Sequence, residues 1–270
     1  MNIIRFLDAS SGKIQYGERL DERSARLIEG DIFAVYEATD HIVEIAKLLA
    51  PLPPANILCI GLNYRHHAKE TGAQLPKHPV LFIKTTNALH NPGDPIIIPE
   101  VAPNEVDYEC ELAIVIGKPA KNVCRSNALE YVLGYTCAND ISARRWQKHG
   151  GGGQWCRGKS FDTFCPLGPS LITADEIPNP NNLKIRTILN GETMQDSTTA
   201  DMIFDIPALI QFLSQGTTLL PGTVILTGTP QGVGFARTPP VFLKPGDEIT
   251  VEIEHIGKLT NPVQEAIPSS

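Results

Sequence analysis

The sequence predicts an α+β fold that is mainly β. Three observations carry this. Many short apolar or alternating runs are separated by Gly, Pro, Asn and Asp clusters, as in a sheet protein with frequent turns. Gly and Pro number 22 each among 270 residues. Segments of helical period are few and do not alternate regularly with the strands, which argues against a Rossmann or TIM architecture.

The elements follow in chain order. IIRFLD and KIQYGERL read as short strands around the turn Ser10-Ser11-Gly12, and residues 41–50, HIVEIAKLLA, place apolar side chains at helical spacing. Pro51-Leu52-Pro53-Pro54 then stops any regular element, because proline fixes φ and donates no hydrogen bond. Residues 1–54 are therefore expected to form a small N-terminal domain and residues 55–270 the main one. In the latter, NILCIGLN, VLFIK, PIIIP, ELAIVIG, VLGYTCAND, PSLIT, KIRTILNG, TVILTGT and EITVEIEHIG read as strands. Helices are expected at 64–71, 126–133, around 140–149 and at 205–214, and the Gly150–Gly153 run as a surface loop. There is no internal repeat.

Composition excludes several function classes. The chain has 23 Lys+Arg against 30 Asp+Glu, a net charge of −7, whereas a nucleic-acid-binding domain would be basic. No run approaches the roughly 20 apolar residues that span a bilayer. MNIIRFLDASSGK breaks its apolar stretch at Arg5 and Asp8 and does not read as a secretion signal. The six cysteines show no C-x-x-C pair and no histidines at zinc spacing; they are expected to be reduced, in a cytoplasmic protein.

The richest segment for chemistry is Asn104–Gly117, NEVDYECELAIVIG. Its second half is a buried strand. Because side chains alternate faces, Glu105, Asp107, Glu109 and Glu111 all point one way if the strand extends that far. Glu109 and Glu111 abut the apolar run, where burying two charges is costly without compensation. A divalent cation relieves that cost, and oxygen-only ligands favour Mg²⁺, Mn²⁺ or Ca²⁺ over zinc. A solvated acidic edge is the alternative. Asp140 supplies a third carboxylate where a strand gives way to a helix; alone it would read as a helix N-cap. Beyond it, Arg144 and Gln147 fall near one helical face and suit gripping a carboxylate or enolate oxygen.

Leu58–Glu70, LCIGLNYRHHAKE, runs from a strand into a polar helix with His67 and Glu70 as neighbours. A carboxylate beside an imidazole orients it as a base; an incidental surface pair is the other reading. Residues 71–79 form a candidate flap over a site. Gly153–Ser160 matches the P-loop expression G-x(4)-G-K-[ST]. No strand leads into it and FDTFCPLGP after it cannot be a helix, so the mechanics of phosphate binding do not follow. Lys159 stays as a cation able to stabilise an oxyanion. In LTGTPQGVG at 226–234, glycines allow close backbone approach to a ligand and Thr229 adds a hydroxyl.

These blocks come together as a resemblance. G-x-N-Y-x-x-H-x-x-E at 61–70, E-V-D-Y-E-x-E-L-A-x-V-I-G at 105–117, N-D-x-S-A-R-x-x-Q at 139–147, G-K-x-x-D-x-x-x-P-x-G-P at 158–169 and L-T-G-T-P-x-G-V-G at 226–234 stand in order. Over about residues 55–265 the chain resembles the fumarylacetoacetate hydrolase family, and most of all its short domain-containing members, through KSFDTFCPLGP and PPVFLKPGDE. The resemblance implies a mixed β-sandwich roll, a homodimer, and Mg²⁺ or Mn²⁺ held by Glu109, Glu111 and Asp140. It also implies a catalytic His67–Glu70 dyad with Lys159, and substrate contacts from Arg144, Gln147 and Thr229. Full-length fumarylacetoacetases carry a further metal-binding aspartate before the histidine. Leu58–Arg65 has no acidic residue, which favours the short-chain branch of acylpyruvate hydrolases, oxaloacetate decarboxylases and tautomerases, and isomerases of meta-cleavage products. The expected function is metal-dependent C–C hydrolysis of an acylpyruvate-type 2,4-dioxo acid through an enolate. Oxaloacetate tautomerisation or decarboxylation, or meta-cleavage-product isomerisation, at the same site is the alternative, and a silent metal-binding module a more distant one.

Overall fold

A computed structural model describes residues 1–266. The N-terminal strands are β1 (Asn2–Asp8), β2 (Ile14–Arg19), β3 (Ser24–Gly30) and β4 (Tyr36–Leu49). Next come β5 (Asn56–Gly61), helix α1 (Arg65–Glu70), β6 (Val80–Lys84), β7 (Leu89–His90) and β8 (Ile96–Ile98). The middle of the chain forms β9 (Val106–Asp107), β10 (Cys110–Ile116), β11 (Val132–Asn139), β12 (Ser142–Ala143), α2 (Cys156–Lys159) and β13 (Cys165–Thr173). The remainder is β14 (Lys184–Leu189), β15 (Glu192–Thr198), α3 (Ile206–Ser214), β16 (Thr223–Leu226), β17 (Glu248–Ile253) and β18 (Gly257–Glu265).

Two sheets dominate, as the mainly-β expectation requires. The larger runs β2-β3-β4-β1-β13-β11-β10-β16-β5-β6, with β7 beside β13. The smaller runs β15-β14-β17-β18-β8. All seven residues of β10 are buried. Its even residues Leu112, Ile114 and Ile116 join a core with Ile185, Val251, Ile253 and Leu259 of the smaller sheet and Leu209 of α3. Its odd residues Ala113 and Val115 enter the core on the other face. A strand buried on both faces reads as a continuous apolar run rather than an alternation, and this one does. Helix α3 opens on Asp205, whose carboxylate accepts from Ala208 N at 3.0 Å.

The sequence expectation of a helix at 41–50 is wrong. These residues belong to β4, which pairs with β3 through Ala25↔Val43 and with β1 through Phe6↔Leu48. The β-branched Ile42, Val43 and Ile45 favour the pleated surface, and a ten-residue apolar pattern does not separate the two periods by itself. Strand β1 in turn pairs with β13, Asn2 opposite Ile172, so the first four strands continue the main sheet. The 126–133 segment is a 3₁₀ helix over Arg125–Tyr131. Around 140–149 the expected helix gives way to β12 followed by a π-helix, Trp146–Gly150.

The sheet order brings one set of strand ends together. β10 and β11 are antiparallel with Glu111 opposite Ala138, so the start of β10 meets the end of β11. β16 is antiparallel to β10 and parallel to β5, with Leu226 opposite both Ala113 and Cys59. The N-terminus of β10 and the C-termini of β11, β16 and β5 therefore share one end of the sheet.

Candidate active site

That shared end collects nearly every residue singled out in the sequence. Glu109 precedes β10 and Glu111 is its second residue. Asp140 follows β11, Thr227–Thr229 follow β16, and α1 follows β5. The acidic stretch is not one strand: it breaks at Tyr108–Glu109, with β9 pairing β12 and β10 pairing β11. Glu105 is half-buried and pairs instead with Arg145. The other three carboxylates stay inside, and ligand oxygens of Glu109, Glu111 and Asp140 lie within 4.8 Å of one another.

Three buried cations compensate them in part. Lys159 Nζ stands 2.7 Å from Glu109 Oε2 and 2.6 Å from Asp140 Oδ2. Arg144 Nη1 is 2.7 Å from Glu109 Oε1. Lys84 Nζ is 2.6 Å from Asp140 Oδ1 and also donates to Ile141 O. Burial opposes ionisation of Glu109, but Lys159 and Arg144 outweigh it and hold the carboxyl below the ordinary range. Burial likewise opposes the charge on Lys159, and Asp140 and Glu109 more than offset it, so the ammonium is held protonated. Glu111 is different. Its carboxylate accepts from the Gly228 N–H at 2.6 Å, and it has no ion pair among the described residues. Burial, then the charges of Asp140 and Glu109, push its pKa well up. An oxygen-only cluster with one uncompensated buried carboxylate is a fit for a hard divalent cation.

Around this floor the geometry is tightly determined. Asp107, fully buried, accepts from Arg144 Nε at 2.8 Å and from the backbone amides of Gly234 and Phe235 at 2.8 and 3.0 Å. It thereby ties Arg144 to the 226–236 loop. Arg144 Nη1 also donates to Gln147 Oε1 at 3.0 Å. Arg144 Nη2 also sits 2.8 Å from Asp107 Oδ2, so the guanidinium meets this carboxylate through two nitrogens. Gln195 Nε2 donates to Thr229 Oγ1 at 2.8 Å, while Gln195 Oε1 accepts from Cys110 N. Gly228 has φ +98, and a Cβ there would come within 2.7 Å of Asn63 Cβ. A Cβ at Gly158 would come within 2.3 Å of Gln147 N, so only glycine lets α2 bring Lys159 in beside the π-helix.

At the rim, His67 Nδ1 lies 3.2 Å from Glu70 Oε2, and Glu70 Oε1 accepts from Gly232 N at 2.9 Å. His67, Glu109, Glu111, Arg144, Gln147, Lys159 and Thr229 all line one pocket of about 270 Å³, walled by Phe82, Trp155 and Phe235. Thr71 and Ala73 of the expected flap also line it. The match to a P-loop ends as expected: α2 stops at Lys159, and β13 follows rather than a phosphate-binding helix.

Three participants escaped the sequence reading. Asp107 stood in the acidic stretch, but its role as the anchor of Arg144 required the loop from 230. Gln195 sits in an unremarkable strand. Lys84 closes VLFIK, and there the apolar residues mislead: Leu81 and Ile83 are each 46% exposed, while Phe82 and Lys84 face inward.

The β-roll thus gathers three carboxylates, two lysines, an arginine and a His–Glu pair at one end of its main sheet, an arrangement suited to acid–base chemistry. Comparison with known proteins gives the family. The model for "Fumarylacetoacetate (FAA) hydrolase C-terminal" matches residues 56–264. A fumarylacetoacetate hydrolase domain-containing protein 2 homolog of Dictyostelium discoideum is 51% identical over 231 residues, 82% of this chain and 75% of its own. A mitochondrial oxaloacetate tautomerase of Xenopus laevis is 50% identical, over 84% of this chain and 72% of its own. The crystal structure of 2-hydroxyhepta-2,4-diene-1,7-dioate isomerase from Mycobacterium marinum superposes with a TM-score of 0.84 at 37% identity, covering 99% of this chain and 100% of that one. The chain belongs to the fumarylacetoacetate hydrolase family. Among the described residues no helix is long and apolar enough to cross a membrane.

Proposed function

We propose that the protein interconverts keto and enol forms of a short 2-oxo dicarboxylic acid, oxaloacetate, by moving one proton at the carbon beside the 2-oxo group. The observation that carries this is the cation-rich, carboxylate-lined floor, together with relatives at about 50% identity named for that reaction. Glu109, Glu111 and Asp140 would hold Mg²⁺ or Mn²⁺. When bound, such a cation supplies electrophilic stabilisation of charge developing on the 2-oxo oxygen.

The chain's own residues do the rest. Arg144, held in place by Asp107 and Glu109 and lining the pocket, binds the substrate carboxylate. Gln147 is fixed by Arg144 to offer its amide to an oxyanion, and Thr229, which also lines the pocket, is fixed by Gln195. Lys159 holds its proton and stabilises negative charge as it forms. His67, oriented by Glu70, takes and returns the proton from the rim.

A second reading, C–C hydrolysis of an acylpyruvate, is favoured by that same His67–Glu70 pair. It is the arrangement that activates a water for attack on a distal carbonyl. Incubation of the Mg²⁺-loaded protein with enol-oxaloacetate and with acetylpyruvate, following ultraviolet absorbance and pyruvate, separates the two. Rapid enol loss without pyruvate supports the tautomerase; pyruvate and acetate from acetylpyruvate establish the hydrolase instead. Inactivity on both, with metal bound, sinks the 2-oxo acid reading. We further propose a homodimer, supported by exposed Leu81 and Ile83 on the edge strand β6, and tested by light scattering. We also propose that residues 1–54 form a small N-terminal domain and residues 55–270 the catalytic domain, supported by the separate small core of Ile4, Phe6, Ala25 and Val43. A cytoplasmic location is proposed on the free thiols; the mitochondrial names of relatives make fractionation of cells the test.

A further inference from the structure

The floor of the pocket has little capacity for a second anionic group. Four buried carboxylates, Asp107, Glu109, Glu111 and Asp140, meet three buried cations, Lys84, Arg144 and Lys159. Each of those cations is already engaged: Lys84 with Asp140, Lys159 with Glu109 and Asp140, and Arg144 with Asp107 and Glu109. A divalent cation would leave the floor one charge positive, which one substrate carboxylate neutralises. A substrate with two carboxylates needs a further cation.

One is in place at the mouth. Lys148 lines the pocket, is exposed, and has no ion pair or side-chain hydrogen bond among the described residues. It lies four residues beyond Arg144, on the π-helix that also carries Gln147. Its Nζ stands 4.2 Å from the centroid of the Phe235 ring, and Arg144 Cζ stands 4.4 Å from the same centroid. The ring holds the ammonium at the pocket wall instead of leaving it to swing into solvent. Arg144 and Lys148 thus present an inner and an outer cation on one aromatic wall, with Ile60, Leu62, Phe82 and Trp155 elsewhere around the pocket.

We propose that Lys148 is a specificity residue that selects 2-oxo acids bearing a second, distal carboxylate over their monocarboxylate analogues. This rests on the 2-oxo acid reading of the site and deepens it. The inner carboxylate and 2-oxo group engage the floor, and the distal carboxylate reaches Lys148 Nζ. No bond is made or broken there; the contact is a charge-assisted hydrogen bond.

The test is calorimetry of the full-length, Mg²⁺-loaded protein with two unreactive five-carbon probes. 2-Oxoglutarate ends in a carboxylate and 2-oxopentanoate in a methyl group. Lys148→Met is expected to raise the Kd of 2-oxoglutarate about fivefold, the scale of a partly exposed ion pair, and to leave that of 2-oxopentanoate unchanged. Lys148→Arg should retain the preference and Lys148→Glu should reverse it. The loss should shrink with added salt. If Lys148→Met weakens both probes alike, or neither, the selectivity role is overturned while the 2-oxo acid reading stands. If the native protein binds neither probe, both fall.

Discussion

Lys159 shows what single residues do here. It is 1% exposed and bridges two carboxylates, which burial alone would forbid to any unpaired ammonium. Lys159→Met should therefore act twice. It leaves Glu109 and Asp140 short of a counter-charge, which is expected to lower stability by about 3–5 kcal/mol in denaturant unfolding. It should also lower kcat by about a hundredfold or more through lost oxyanion stabilisation. Glu111→Gln should behave in the opposite way. Its amide oxygen can still accept from Gly228, while the cost of a buried, uncompensated carboxyl disappears. The metal-free variant should melt no lower than the native protein, but its melting temperature should stop responding to Mg²⁺. A metal response equal to that of the native protein would remove Glu111 from the ligand set. His67→Ala should reduce kcat by about a hundredfold or more if the imidazole moves the proton; an unchanged rate would remove it from the reaction.

At the scale of elements, placement depends on close backbone approach. α2 is one turn long and would not form on its own. It persists because Gly158 lets it lie against the backbone of Gln147. Gly158→Ala is expected to cost about 1–3 kcal/mol as overpacking, and to lower activity by displacing Lys159 and Gln147 together. Far from the site, the turn after β1 gives a pH signature. Asp8 Oδ1 accepts from Ser10 N, Ser10 Oγ and Ser11 N at 2.7, 2.8 and 3.1 Å, and these bonds hold its pKa down at about 2. A depressed carboxyl stabilises the fold above its unfolded pKa of about 3.9 and loses that contribution as the pH falls through its folded value. Asp8→Ala should lower the melting temperature at neutral pH, and the difference from the native protein should close between about pH 4 and pH 2.

For the whole molecule, the carboxylate floor couples folding to metal. Glu109, Glu111 and Asp140 come from two strands that meet only in the folded sheet, so a cation that binds them binds the native state alone. Mg²⁺ at a hundred times its Kd should add about 2.7 kcal/mol to the unfolding free energy, and a chelator should remove it. Unfolding that ignores both would contradict a metal site at this cluster.

How much of this could be read beforehand depends on the range of the interactions. Local patterns were legible: the apolar run of β10, the helix expected at 205–214 and found at Ile206–Ser214, and the spacing of Glu109, Glu111, Asp140, His67, Glu70 and Lys159 along their motifs. Where two local periods compete, reading failed. Residues 41–50 became a strand because β1 and β3 were there to pair with, and the stretch after Asp140 became β12 and a π-helix because β9 lay alongside. The sequence by itself determined the composition of the site, because the types and spacings of its charged residues are written in the chain. Only the tertiary structure decided that Lys84 turns inward while Leu81 and Ile83 face out, that Asp107 anchors Arg144, and that Lys148 stands free at the mouth. Those outcomes rest on partners 37 to 128 residues away and on which face of a strand the sheet buries. No local pattern carries that information.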